Sequence, residues 1–532
     1  MFRNLHSIFL FLLFSLIGYN ISVSAQTASE RIKQSYTTLH PHIIINNIED
    51  ITGGNFIEPY SQKIMTGLPP FRRISLISRP TSESNIGIEV WMPIENWNGR
   101  FLGTGTGGGA GYINFWALEI GLKRGFAVAN TDMGTSPAAH EVYEYPERWK
   151  DFGYRATHEM TVVAKKFIKK YYGKEPLYSY FQGCSTGGQQ ALSEAQRYPE
   201  DYNGILAGAP ANNRTHLHTM FLWCHALCNE NPELMFSKKQ LQKITEIVIQ
   251  KNVGKDGGAP TDHFLTDPRI ATIDTEIFKS FLSEKQINIL KKILNGPVNP
   301  NTGERIYCSF PLNSEDKPSG QEYFQGKSAV NGLLYPFIWA FGKDFDYRKF
   351  DFDKDLEKVD SILAPVLNAN NPDLRPLKKN NGKIIMYTGT CDPIVPFPDA
   401  INYYERVIEQ IGSLEETQTF FRYFIIPGMN HCANGPGVND FGQGFPTPPN
   451  PDKEQDILSL LMDWVEKGKA PERIIATRYK DNSRKEIEMQ RPVYPYPDFP
   501  HYIGGDPALP QNYKRKTHLR NNVPIPAKKY LK

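Results

Sequence analysis

Residues 177–199 read LYSYFQGCSTGGQQALSEAQRYP, and a change of texture inside this stretch decides the fold. Up to Gly183 the residues are largely aromatic and apolar, as in a buried β-strand. From Ser185 onward, helix-forming residues run to a terminating proline. At the junction, Gly183-Cys184-Ser185-Thr186-Gly187 fits G-x-S-x-G. Glycines flanking the serine permit the tight strand-to-helix turn that lifts a hydroxyl off a sheet. The helix that follows aims free N–H groups and its positive pole at the same place. Glycine and serine are common, so an ordinary glycine-rich turn is the competing reading; the strand before and the helix after favour a nucleophile.

Outward from this turn, strands and helices alternate. IGIEVWMP (86–93), GRFLGTG (99–105), GFAVANTDMG (125–134) and NGILAGAPA (203–211) read as strands. THEMTVVAKKFIKKYYG (157–173) reads as a helix closed by a glycine C-cap. Such alternation predicts an α/β domain on a mostly parallel sheet. From 212 to 375 the texture changes to amphipathic helices, FSKKQLQKITEIVIQK and SEKQINILKKILNG among them, separated by Gly/Pro/Asp-rich loops. The α/β pattern returns with the strand GKIIMYTGTCDP, the helix PDAINYYERVIEQIG, the strand TFFRYFIIPG and the helix LLMDWVEKGKAPERI. The expected organisation is an α/β core (26–211 and 376–532) interrupted by a lid domain (212–375).

At the N-terminus, Arg3 precedes an apolar run from Ile8 to Ile17 that ends in small residues, Val23-Ser24-Ala25. Such a run is short for a membrane span and has the pattern of a secretory signal peptide, here residues 1–25. A secreted or periplasmic protein is expected, with disulfides permitted. No later segment has the length and apolarity of a transmembrane span. The formal charge of +3 on 532 residues, with no basic run, argues against a nucleic-acid partner. Six cysteines, Cys184, Cys224, Cys228, Cys308, Cys391 and Cys432, leave several pairings open.

A serine nucleophile needs a base, and the base needs an orienting carboxylate. In α/β-hydrolases the chain order is Ser, then Asp or Glu, then His, on loops that follow sheet strands. Asp392 follows KIIMYTG and His431 follows FRYFIIPG, in that order. Structural capping by the aspartate and a solvated loop histidine are the alternatives. Cys184 precedes Ser185 and Cys432 follows His431, so a serine and histidine within hydrogen-bond reach would also bring these cysteines close. A disulfide requires Cα atoms roughly 5.5 Å apart, and closing so long a loop contributes about 5 kcal/mol in the chain-entropy model. Cys184 as the nucleophile is the rival reading, and a half-cystine has no thiolate. For the oxyanion hole, one amide is expected from Thr186, the other from Gly107 or Gly108 in RFLGTGTGGGAG (100–111). A phosphate-binding reading of those glycines lacks the P-loop lysine.

YYGKEPLYSYFQGCSTGGQQALSEAQRYPEDYNGILAGAPA closely resembles the nucleophile segment of the tannase and feruloyl esterase family. WNGRFLGTGTGGGAGYI resembles its oxyanion segment, NPDLRPLKKNNGKIIMYTGTCDP its acid segment and PGMNHCANGPG its histidine segment. APERIIAT and RPVYPYPDFPHYIGGD are similar to its C-terminal part. The resemblance implies a secreted serine esterase with an α/β-hydrolase core and a large lid, acting on small aromatic esters or on polysaccharide and polyphenol esters of plants. Feruloyl and galloyl esters are the expected type, and the family also includes mono(2-hydroxyethyl) terephthalate hydrolase. It assigns Ser185 as nucleophile, Asp392 as acid, His431 as base and Cys184–Cys432 as a bridge. No cofactor is implied for catalysis.

It also implies a structural calcium loop in the lid. Here the matching stretch, NVGKDGGAPTDHFLTDPRIATID, keeps Asp256 and Asp262 as candidate ligands but has altered spacing and no flanking cysteines. Tyr494 stands where the family has a further cysteine. Trp223, Phe337 and Trp339 are candidates for covering the acyl pocket, with packing inside the lid as the alternative for each. A catalytically inactive polyphenol- or glycan-binding protein and a secreted serine peptidase are the other functional classes compatible with the pattern.

Overall fold

The computed structural model describes residues 30–229, 234–317, 330–444, 447–517, 520 and 522–532; the expected signal segment lies outside them. Its centre is a nine-stranded sheet: β1 Ile43–Ile51, β2 Phe71–Ser78, β3 Ile86–Pro93, β4 Arg100–Thr104, β5 Ala127–Thr131, β6 Tyr178–Cys184, β7 Gly204–Gly208, β8 Lys383–Gly389 and β9 Phe421–Ile426. Across the sheet the order is β1-β2-β3-β5-β4-β6-β7-β8-β9. From β5 to β9 every pairing is parallel. The pairings of β1 with β2, β2 with β3 and β3 with β5 are antiparallel.

The alternation read from residue 85 onward omits the antiparallel edge formed by β1 and β2. In β2, Phe71, Ile74, Leu76 and Ser78 are buried, the last three on alternate positions. Arginines interrupt that pattern, which weakens the strand signal. They serve the sheet by pairing across strands, Arg72 with Asp50 at 2.7 Å and Arg73 with Glu89 at 2.6 Å. Cross-strand pairs of this kind hold register where one sequence alone shows only alternating charge.

Helices cover both faces. The chain supplies α1 Phe115–Lys123, α2 Ala156–Tyr172 and α3 Thr186–Arg197, then α4 Arg214–Asn229, α5 Lys238–Asn252, α6 Glu284–Asn295, α7 Val330–Phe341 and α8 Lys354–Leu367, and finally α9 Phe397–Ile411 and α10 Ile457–Lys467. α2, α3 and α9 pack with Phe181, Ile205 and Ile384 on one face. α1 and α10 pack with Tyr180, Leu206 and Ile385 on the other. Neighbouring residues of β6, Tyr180 and Phe181, thus enter opposite cores, as the period of two in a strand requires.

Because α1 follows β4 to one face and α3 follows β6 to the other, the connections diverge between two adjacent strands. The crevice outside the carboxyl ends of strands at such a divergence is where α/β sheets bind ligands. The helices α4 to α8 build a separate apolar cluster that also takes in Met133, Trp149, Phe152 and Tyr530. Phe337 and Trp339 are buried inside that cluster, where Trp339 stacks on Trp149 at 5.6 Å. Trp223 packs edge-on against Phe352 at 5.1 Å. Phe337 and Trp223 thus pack within the insertion, and Trp339 packs where the insertion meets the segment that carries Trp149 and Phe152.

Candidate active site

Ser185 sits between the last residue of β6 and the first of α3, with φ 65° and ψ −119°. A left-handed φ at a non-glycine residue is strained and persists only where the surroundings enforce it. Here the glycines enforce it. A Cβ on Gly183 would lie 2.5 Å from the Gly187 carbonyl oxygen, and one on Gly105 would lie 2.5 Å from the Gly187 Cα. The turn therefore closes on itself and also lets the glycine-rich loop after β4 approach it. The Ser185 N–H donates to the Gly208 carbonyl at 3.0 Å, which ties the turn to β7.

Asp392, at the turn after β8, is fully buried. Its Oδ1 accepts from the N–H groups of Ile394 (2.8 Å) and Val395 (2.9 Å), and its Oδ2 accepts from His431 Nδ1 at 2.8 Å. A carboxylate only accepts, so the proton of the neutral imidazole is on Nδ1 and Nε2 has a free lone pair. His431 lies on the loop after β9, and its side chain is 17% exposed. Ser185, His431, Gly107, Gly108, Cys184 and Cys432 line one cavity of about 510 Å³. The bridge Cys184–Cys432 is formed, with Cα atoms 5.9 Å apart and a sequence separation of 248. Cys224, Cys228, Cys308 and Cys391 are buried.

Thr186 opens α3, so its N–H has no intrahelical acceptor. Its hydroxyl donates to the Gly108 carbonyl at 2.5 Å, which joins the Ser185 turn to the glycine-rich loop. Gln190, one turn further along α3, accepts from the Thr106 N–H at 2.9 Å and holds the same loop. The apolar wall of the cavity is aliphatic, formed by Leu102, Ala117, Ile120, Leu333 and Ile394. Of these, Leu333 alone comes from the insertion between β7 and β8, and Ile394 lies just beyond β8.

Sequence reasoning passed over Gln190 and Arg214. Arg214 opens α4, is 4% exposed, and donates to Thr186 Oγ1 at 2.6 Å and to Gln189 Oε1 at 2.8 Å. No motif marks either residue, although an arginine in the apolar stretch that follows β7 is a signal in itself. One turn along, His218 is buried, its Nδ1 bonded to the Leu333 carbonyl. Burial, reinforced by the charge of Arg214, pulls its pKa down to about 3.

Asp256 and Asp262 come together in the insertion, yet their oxygens are already occupied by donors. Asp256 accepts from the N–H groups of Gly258 (3.1 Å), Thr266 (2.5 Å) and Asp267 (3.1 Å). Asp262 accepts from the Ala259 N–H (3.0 Å) and from the guanidinium of Arg491 (2.8 Å). Calcium takes about six to eight oxygen ligands; this pair faces protons and an internal cation. The residues present do not fit a calcium ion. Elsewhere, His158, Glu194 and Asp201 have ligand atoms within 4.8 Å of one another, but His158 Nδ1 is bonded to Asp201 at 2.7 Å.

Known proteins share this arrangement of segments. The family model described as tannase and feruloyl esterase matches residues 73–516. An uncharacterized esterase of Xanthomonas campestris pv. campestris is 34% identical over 514 residues, 89% of each chain. A probable feruloyl esterase B of Aspergillus clavatus is 29% identical over 86% of this chain and 89% of its own. Among solved structures, feruloyl esterase B from Aspergillus oryzae superposes with a TM-score of 0.83 at 25% identity, covering 90% of this chain and 97% of that one. The tannin acyl hydrolase from Aspergillus niger, at 21% identity and a TM-score of 0.71, shares the fold over 91% of this chain and 92% of its own.

Proposed function

This chain belongs to the tannase and feruloyl esterase family and is a carboxylic ester hydrolase with an α/β-hydrolase fold, and from that premise we propose a serine acyl-enzyme mechanism acting on aromatic carboxylic esters. Ser185 Oγ attacks the ester carbonyl carbon while its proton passes to His431 Nε2. Asp392 holds the imidazole in the tautomer that leaves Nε2 free and stabilises the imidazolium that forms. The N–H groups of Thr186 and of Gly107 or Gly108 receive the negative oxygen. Collapse of the tetrahedral intermediate breaks the bond to the alcohol oxygen, which takes the proton from His431. Water then attacks the acyl-enzyme, with His431 again accepting its proton. The disulfide holds the serine and histidine loops in register throughout.

The observation that carries the reading is the pairing of a strained Ser185 at a helix N-terminus with a carboxylate-oriented His431 in the same cavity. The cavity volume suits a single-ring acyl group, and the aliphatic wall gives its ring an apolar seat. The N-terminal leader pattern and the disulfide support a secreted or periplasmic location. Among the described residues no helix is long and apolar enough to cross a membrane.

The test is Ser185→Ala assayed with p-nitrophenyl acetate and with matched feruloyl, galloyl and terephthaloyl esters. The expected loss in kcat is on the order of 10⁶-fold, with the fold intact. Retained turnover would rule out Ser185 as the nucleophile. A parent protein that binds these compounds without hydrolysing them would be a binding protein, and a preference for peptide amides would make it a peptidase.

A further inference from the structure

We propose that Arg214 is a positioning residue of the oxyanion hole, locking its two halves together and placing an uncompensated positive charge behind it. The proposal rests on the reading of Ser185 as nucleophile and adds a residue to that machinery.

The direction of each hydrogen bond follows from chemistry. A guanidinium has donors only, so the bond of 2.6 Å between Arg214 and Thr186 Oγ1 uses a lone pair of the hydroxyl. The hydroxyl proton is then left for the Gly108 carbonyl, 2.5 Å away. Arg214 therefore orients Thr186, and Thr186 holds the Gly108 carbonyl, which anchors the residue whose own N–H lies on the preceding peptide. Gly108 has φ +59° and open space where a Cβ would be, so its own sterics do little to hold it. The second guanidinium contact, to Gln189 Oε1 at 2.8 Å, anchors the arginine to the same helix that Ser185 begins.

The charge itself is the second part. Arg214 is buried, and among the described residues it makes no ion pair. Its surroundings are the Gln189 amide, the Thr186 hydroxyl, the ring of Phe152 with centroid 5.4 Å away, and Tyr335. The nearby His218 is held neutral. A buried cation without an anion is costly, and its place at the positive pole of α3 makes the resting state worse. An anion developing at the pocket end of α3 reverses that balance, because the field of the guanidinium and of the helix then act on it together through a dry interior. An interaction that is unfavourable at rest and favourable with a negative oxygen present raises kcat and leaves substrate binding little changed.

The experiment compares Arg214→Met, Arg214→Lys and Thr186→Val with the parent on p-nitrophenyl acetate. Rates are normalised to active sites titrated with an organophosphonate that labels serine. The expected outcome for Arg214→Met is a kcat lower by on the order of 100-fold, with KM within about threefold. Inhibition by phenylboronic acid, which forms an anionic tetrahedral adduct, should weaken by the same factor as kcat/KM. Arg214→Lys should recover part of the loss because the charge survives, and Thr186→Val should lose rate because the relay to Gly108 is cut. Unchanged kcat per titrated site in Arg214→Lys and Thr186→Val, or a loss carried by KM alone, overturns the proposal whether or not Arg214→Met folds. Failure of the parent to label at Ser185 would instead overturn the nucleophile assignment, so the two readings fail separately.

Discussion

Arg214 and Arg491 are both buried arginines, one at the helix that follows Ser185 and the other where the insertion meets the C-terminal strands, and their partners differ. Arg491 is 1% exposed, holds Asp262 at 2.8 Å, donates to the carbonyls of Gln490 and Pro507, and lies 4.3 Å from the ring of Tyr513. Its charge is matched and its donors are used. Arg214 has donors in use but, among the described residues, no ion-pair partner. A neutralised buried ion holds two segments together and projects little field; an unmatched one does the opposite. The two aspartates make the same contrast. Asp262 is held by a guanidinium that never gives up its proton. Asp392 is held by an imidazole, which leaves its second ring nitrogen facing the cavity side of the pair as an acceptor rather than a fixed cation.

That contrast can be broken at several points. The largest expected effect is at Asp392. Asp392→Asn should leave the cavity intact and lower kcat by on the order of 10⁴-fold, because an amide no longer enforces the Nδ1–H tautomer; a loss under about tenfold would remove Asp392 from the role given to it.

Next comes Arg491→Met, which strands Asp262 as a buried unpaired carboxylate. The expected destabilisation is about 3–5 kcal/mol in denaturant unfolding, with kcat per titrated site unchanged. Incubation of the parent with EDTA should leave its Tm where it was, since Asp262 already has the Arg491 guanidinium as its counter-charge and Asp256 accepts from three backbone N–H groups. A fall in Tm on chelation would show instead that a metal contributes there.

The smallest effect sharpens the description of Arg214's neighbourhood. His218 is held neutral with its pKa near 3, below its ordinary value. A depressed folded-state pKa contributes stability that is present above about pH 6.5 and is lost as pH falls toward 3. Burial raises Asp132 and Asp399 to about 6, and these act oppositely, adding stability as pH falls through that value. The difference between His218→Phe and the parent isolates the histidine. The variant should be spared about 1–2 kcal/mol of the parent's loss between roughly pH 6.5 and 5; parallel stability curves would mean that His218 is protonated in the folded protein.

Much of the core was legible because its signals are local. β6 with its glycine turn and α3, α2 with its Gly173 C-cap, and β8 and β9 with Asp392 and His431 beyond them, each announce themselves within about twenty residues. β1 and β2 escaped because their charges, Arg72 and Arg73 against Asp50 and Glu89, look like surface until the partner strand is in place. Trp223, Phe337 and Trp339 are large aromatics in an inserted segment, and composition cannot say whether such rings face a pocket or one another. The Cys184–Cys432 bridge sits between these cases: the residues beside Ser185 and His431 suggest it, and a folded chain is needed to close 248 residues.

What the chain order alone determined is the α/β alternation, the serine turn and the Ser–Asp–His succession, because periodicity, glycine sterics and strand-end position are written within short windows. Only the tertiary structure decided where Arg214, Gln190 and Arg491 act. Their partners are Thr186, Thr106 and Asp262, separated from them by between 28 and 229 residues. The worth of a buried charge depends on what else is buried beside it, and that is a property of packing, which no window of sequence contains.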